Sequence, residues 1–176
     1  IYMLLGPLRH RFTALERAQE QGIGHYFVPR YTRVVDTADS KDDINKAYSL
    51  ISASKVRNEM IVNDVIACIA MKQTPVILTR FKEHAKLLYD TLKEEADHVF
   101  LLYGDNTDKE NADIRVRLKQ VTKNESLILV ATGQKIGEGF DFPRLDVLML
   151  AAPVSFEGRL EQYVGRLNYD YQGKEA

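Results

Sequence analysis

A doubly wound α/β fold with a mainly parallel sheet is what the sequence predicts, on three observations. Short, almost wholly apolar runs recur at Pro75–Thr79, Val99–Tyr103, Leu127–Val130 and Val147–Leu150. Segments of helical periodicity lie between them, and polar or glycine-bearing breaks bound them. A strand that is apolar on both faces belongs in a sheet covered from two sides, the setting of parallel strands joined by crossover helices.

The composition fits one such domain. The 176 residues are 45% hydrophobic and 28% charged, which supports a sizeable core and excludes a mainly disordered or collagen-like chain. Lys and Arg number 24 against 25 Asp and Glu, so bulk charge selects no partner and any polyanion site must be local. The one cysteine, Cys68, excludes an internal disulfide framework and a Cys-cluster zinc site, and within Val65–Ala70 it reads as core filling. The four histidines, His10, His25, His84 and His98, lack metal-ligand spacing, so no metal site is expected. No apolar run approaches the roughly 18 residues of a membrane span. Ile1–Leu5 is too short for a signal peptide and lacks its basic flank, so no membrane partner and a cytoplasmic location are expected. Those five residues read instead as a strand cut open, and the chain as a piece of a longer one.

In order along the chain, Gly6-Pro7 opens a helix over about Arg11 to Gln21 that Gly22 closes. His25–Val28 and Tyr31–Val35 read as one strand interrupted at Pro29, hence an edge or bulged strand, because proline has no N–H for a ladder. A helix from Asp42 to about Leu50 follows, then a second from an N-cap at Ser54 to about Met71. In the latter Val62, Val65, Ile66 and Ile69 fall at i, i+3, i+4 and i+7 and predict one buried face. The strand at Pro75–Thr79 leads into an amphipathic helix from Phe81 to Leu92, with Phe81, Ala85, Leu88 and Leu92 on one face. Thr107 caps a charged helix reaching about Gln120, and a polar helix from about Phe156 to Gly165 ends the series.

In open parallel sheets ligands bind at the carboxyl ends of the strands, so function is sought after Leu78, Tyr103, Val130 and Leu150. Ala131-Thr132-Gly133-Gln134-Lys135-Ile136-Gly137-Glu138-Gly139-Phe140-Asp141-Phe142-Pro143 carries three glycines in seven residues directly after a buried strand. Such a loop lets backbone approach a ligand and can offer amide N–H groups, with the Thr132 hydroxyl, to a phosphate; it also suits a connection that merely turns. One strand and one helix later stands Gln162-Tyr163-Val164-Gly165-Arg166. Gln162 and Arg166 are four apart and share a helical face, where an amide and a guanidinium can read phosphate oxygens together, or simply face water.

The order of these signals is specific. Ala131 to Pro143 resembles motif V of superfamily 2 helicases, Gln162 to Arg166 resembles the start of their motif VI, and Pro75–Arg80 with its helix resembles motif IV. The wording Glu138-Gly139-Phe140-Asp141-Phe142-Pro143-Arg144-Leu145-Asp146 is similar to the DEAD/DEAH-like branch that holds DNA-repair helicases and restriction-type translocases. The resemblance implies a RecA-like second lobe over residues 23–176, truncated at its C-terminal end, with residues 1–22 as the exit from a first lobe. No G-x-x-x-x-G-K-[ST] loop occurs in the sequence, and in this family that loop belongs to the first lobe. ATP and Mg²⁺ are therefore expected mainly on that partner lobe, and this chain alone is expected to be inactive.

By the same resemblance Arg166 and Gln162 are the catalytic positions, and Gly139 and Asp141 join them around the nucleotide. An arginine brought to the γ-phosphate is worth ~10³–10⁵ in rate. The family pattern continues to a last arginine where this chain has Tyr169, and a phenol carries no fixed positive charge. Thr79, Arg80, Thr132 and Gly133 are the positions implied to hold the phosphate backbone of a nucleic-acid strand, DNA favoured over RNA. Thr79 has a local alternative as a cap of the helix after it, and Thr132 one as a strand end. Asp141 and Asp146, separated by Pro143, suit structure and coupling better than paired acid–base chemistry. The competing reading, from another class, is a RecA-like interaction or regulatory module that has lost catalysis.

Overall fold

The computed structural model describes residues 26, 28–32, 44–133 and 142–153. Within them the order is α1 (Ile44–Ala53), α2 (Lys55–Ala70), β1 (Pro75–Thr79), α3 (Lys82–Leu92), β2 (His98–Leu102), α4 (Asp108–Gln120), β3 (Leu127–Thr132) and β4 (Val147–Leu150). The four strands form one sheet in the order β2-β3-β1-β4, and every pairing is parallel. The α/β class and the parallel sheet are as the sequence predicts.

Strand parity builds two cores. Val76 and Leu78 of β1 and Leu127, Leu129 and Ala131 of β3 face one side, where they pack with Phe100, Leu102, Leu118, Phe142 and Leu145. Ile77, Ile128 and Val130 face the other and meet Val65 of α2 and Ala85, Leu88 and Leu92 of α3. The inner strands are buried at all positions because each alternate residue has its own apolar layer, which is why they read as unbroken runs. The first layer is closed by α4 and the second by α2 and α3.

The helices show why each starts and stops. Thr107 accepts from the Glu110 amide at 3.3 Å while the Glu110 carboxylate accepts from the Thr107 amide at 2.7 Å, a reciprocal capping box that satisfies two otherwise orphaned donors. The end of α2 is closed without glycine. Lys72 sits at φ 60, donating to the Ile69 carbonyl, while Gln73 donates to that of Cys68, each at 2.9 Å. Asp146 braces the start of β1, its Oδ2 accepting from the Thr74 amide at 3.1 Å and its own amide donating to the Thr74 carbonyl at 3.1 Å.

Several expectations are corrected. Ser54 occupies the N-cap position of α2, yet its side chain makes no capping bond. The buried stripe of α2 centres on Asn58, Val65 and Cys68, with Ile61, Val62 and Ile69 alongside, and Ile66 is 38% exposed. At about 100° per residue, Ile66 lies a quarter-turn from Val65 and off the stripe. The described part of the expected first strand, residues 26, 28 and 31–32, is in no strand, and the rest of it lies outside the described residues: Pro29 has no N–H to give, and the Arg30 guanidinium is drawn to the Asp64 carboxylate of α2, with Nε donating at 2.8 Å. The expected helices over 11–21 and 156–165 lie outside the described residues.

Candidate nucleic-acid interface

Parallel pairing places the carboxyl ends of all four strands at one edge. Thr79, the last residue of β1, is the Cα partner of Thr132, the last of β3. Arg80 and Gly133 continue directly from them, so the four residues expected to hold a phosphate backbone come together on two adjacent strands. Both threonines are buried, Gly133 is half-buried and Arg80 is exposed. By strand parity both threonine side chains face the α2–α3 layer.

Thr79 has a defined partner in that layer. Its Oγ1 lies 2.7 Å from Nδ1 of His84, whose Nε2 lies 3.0 Å from Oδ1 of Asn58. Asn58 Nδ2 donates to the Ser52 carbonyl at 2.9 Å, and the Ser52 hydroxyl donates to the Tyr48 carbonyl at 2.9 Å. The donor directions follow from this chain. Because Asn58 gives its N–H₂ to Ser52, its oxygen faces the histidine, so Nε2 of His84 carries the proton. Burial, aided by the positive charge of Arg57, pushes the His84 pKa down to about 4, so the ring is neutral near pH 7. Nδ1 is then an acceptor and the Thr79 hydroxyl donates to it. The single proton that Thr79 has for a phosphate oxygen is thus engaged, and its side chain holds the strand end in place instead. It caps no helix either, since the N-cap position of α3 is Phe81.

Arg80 is an exposed cation of this edge. Its guanidinium carbon lies 4.7 Å from the ring centroid of Tyr48, and Tyr48 is buried at 6% exposure. Among the described residues Arg80 makes no ion pair. Nearby on the same edge, Lys82 pairs with Asp105 of the loop after β2. A Cβ on Gly104 would come 3.2 Å from Lys82 Cε, so glycine there gives the lysine its path. Arg57, half-buried, keeps an Nη1 that has no hydrogen-bond partner among the described residues.

Gly139, Asp141, Gln162, Arg166 and Tyr169 lie outside the described residues, so the nucleotide half of the expected site has no geometry here. The residues that sequence reasoning missed are Tyr48, Asn58 and Arg57, together with His84, which it weighed only as a metal ligand. A signal existed for His84: it adjoins Ala85 on the buried stripe of α3, where an unpaired imidazole would be costly. Among the described residues no group of His, Cys, Asp and Glu could hold a metal ion, and no helix is long and apolar enough to cross a membrane.

Comparison with known proteins agrees with this architecture. No protein-family model matches the sequence. The fold is shared with phage T4 UvsW, at a TM-score of 0.60 and 22% identity over 72% of this chain and 25% of that one. It is also shared with the C-terminal part of the Fun30 ATPase domain, at a TM-score of 0.54 and 11% identity over 68% of this chain and 38% of that one. The fold is therefore of the RecA-like α/β class. In sequence the chain is 30% identical over 117 residues to transcript termination protein A18 of fowlpox virus, covering 65% of this chain and 24% of that protein. It is 28% identical over 113 residues to the A18 protein of Yaba-like disease virus, covering 63% of this chain. The chain spans about a quarter of the length of these curated relatives.

Proposed function

We propose that the chain is the second RecA-like lobe of a superfamily 2 helicase or translocase, supplying one wall of an interlobe ATP site and part of a nucleic-acid track. The observation that carries this is the juxtaposition of Thr79-Arg80 and Thr132-Gly133 at the carboxyl edge of adjacent parallel strands, in the order of motifs IV and V. Arg80 offers a guanidinium to a phosphate oxygen and Gly133 allows close backbone approach, which recognises a strand without reading its bases.

ATP and Mg²⁺ belong in this reading to the cleft with a first lobe that carries the phosphate loop, with Gln162 and Arg166 facing the nucleotide and Gly139 and Asp141 beside it. Bound there, they supply the phosphoryl chemistry, and this chain contributes positive charge and closure. The A18 relatives are named for transcript termination, and the motif V wording resembles repair and restriction-type motors. We take DNA as the track.

The test is binding of labelled single-stranded oligonucleotides of unrelated sequence to the 176-residue chain. Binding should be weak and salt-sensitive, and Arg80→Ala should weaken it about equally for every sequence. A clear sequence preference, or no change in Arg80→Ala, would remove the β1 edge from the track. One observation favours a second reading: Tyr169 stands where the motif VI pattern has its last arginine. In that reading the lobe is an interaction module, and Arg166→Ala would leave the activity of the two-lobed protein intact.

A further inference from the structure

The contacts around Arg80 form a closed circuit. Arg80 lies over the ring of Tyr48; the Tyr48 carbonyl accepts from Ser52; the Ser52 carbonyl accepts from Asn58; Asn58 accepts from His84; and His84 accepts from Thr79, the residue before Arg80. Every member of the circuit except Arg80 is buried or half-buried. From these contacts we infer that Tyr48 is the positioning residue of Arg80, holding its guanidinium ready for a backbone phosphate of a single strand. This inference rests on the reading of Arg80 as a track residue.

The physical case has three parts. An exposed arginine samples many rotamers, and each must be given up when it binds a phosphate; a cation held over an aromatic face has given up most of them beforehand. Stacking uses the face of the guanidinium and leaves the N–H groups on its edge in plane, so the same side chain can rest on Tyr48 and still donate to two phosphate oxygens. The backbone on which the arginine is mounted is fixed as well, because the Thr79 side chain is tied through His84 and Asn58 to the α1–α2 corner that carries Tyr48. The ring and the strand end therefore move as one body.

The ring face is the active part of Tyr48, since no described hydrogen bond uses its hydroxyl. The experiment is fluorescence anisotropy of the 176-residue chain with labelled oligo-dT at several salt concentrations. Tyr48→Phe should bind like the parent chain. Tyr48→Leu, which keeps an apolar filler and removes the π face, should bind about two- to fivefold more weakly. Arg80→Ala should bind more weakly than either and lower the salt slope by about 0.7, the share of one phosphate contact on a single strand. In the Arg80→Ala background, Tyr48→Leu should have no further effect. Thermal melting of each variant separates positioning from folding, and Tyr48→Met, unbranched and closer in reach, replaces the leucine variant if that one melts early.

The arms distinguish the two failures. If Arg80→Ala binds like the parent, the track reading of this edge fails and the inference falls with it. Should Arg80→Ala weaken binding while well-folded Tyr48→Leu and Tyr48→Met do not, the track stands and the positioning role is overturned. Equal weakening by Tyr48→Leu with and without Arg80 would overturn it too.

Discussion

At the scale of single residues, His84 links the site to stability. Its pKa is pushed from 6.5 to about 4, first by burial and then by the charge of Arg57. The unfolded chain therefore binds the proton more readily than the folded one, so this histidine makes stability fall as pH drops from about 6.5 toward 4. Above 6.5 its contribution is constant. Chemical denaturation of the parent chain and of His84→Gln at pH 7 and pH 5 should show a smaller pH-dependent loss in the variant. Equal losses would mean that His84 is not held neutral. Asn58→Ala should cost about 1–3 kcal/mol at pH 7, the usual penalty for leaving buried partners unsatisfied, here His84 Nε2–H and the Ser52 carbonyl. Sequence reading did not reach this circuit because a polar residue in a helical stripe looks like a surface residue until its partner, 26 positions away in the case of His84 and Asn58, is known.

At the scale of elements, end signals were legible where the side chain itself makes the bond. Thr107 with Glu110 three residues on announces a capping box, and Thr107→Ala should lower stability by about 0.5–2 kcal/mol. Ser54 gave the same kind of signal and makes no such bond, because residue type permits a cap without requiring one. The end of α2 was not legible, for the left-handed position that usually marks such an end is filled by Lys72. Lys72→Gly should therefore stabilise the chain by about 0.5–1 kcal/mol, as relief of Cβ strain exceeds the entropy that glycine adds to the unfolded state. A lower melting temperature in this variant would contradict the assigned conformation.

At the scale of the molecule, the sequence carried the class of fold because continuous apolar strands have few other homes. Strand order and register were not legible, as they depend on which run pairs with which, and nothing in Val76–Leu78 marks Leu127–Val130 and Val147–Leu150, rather than Val99–Leu102, as its neighbours. That Thr79-Arg80 and Thr132-Gly133 meet at one sheet edge could be expected from motif order alone; the engagement of the Thr79 hydroxyl by His84 could not. The A18 proteins and the solved RecA-like chains extend well beyond the region this chain matches, so the proposed motor function is tested only in a protein that carries both lobes.

The measurement that bears most directly on the central claim is therefore steady-state ATP hydrolysis by the two-lobed protein over a titration of single-stranded DNA up to saturation, comparing the parent with Arg166→Ala and Arg80→Ala. If this lobe closes on the nucleotide through Arg166 and on the strand through Arg80, the first variant should lose turnover while ATP affinity stays within about a few-fold, because a transition-state contact acts on kcat more than on binding. The second should keep kcat and need more DNA to reach half-maximal rate. Unchanged turnover in Arg166→Ala would contradict the account and leave the chain as an interaction module on a motor's fold.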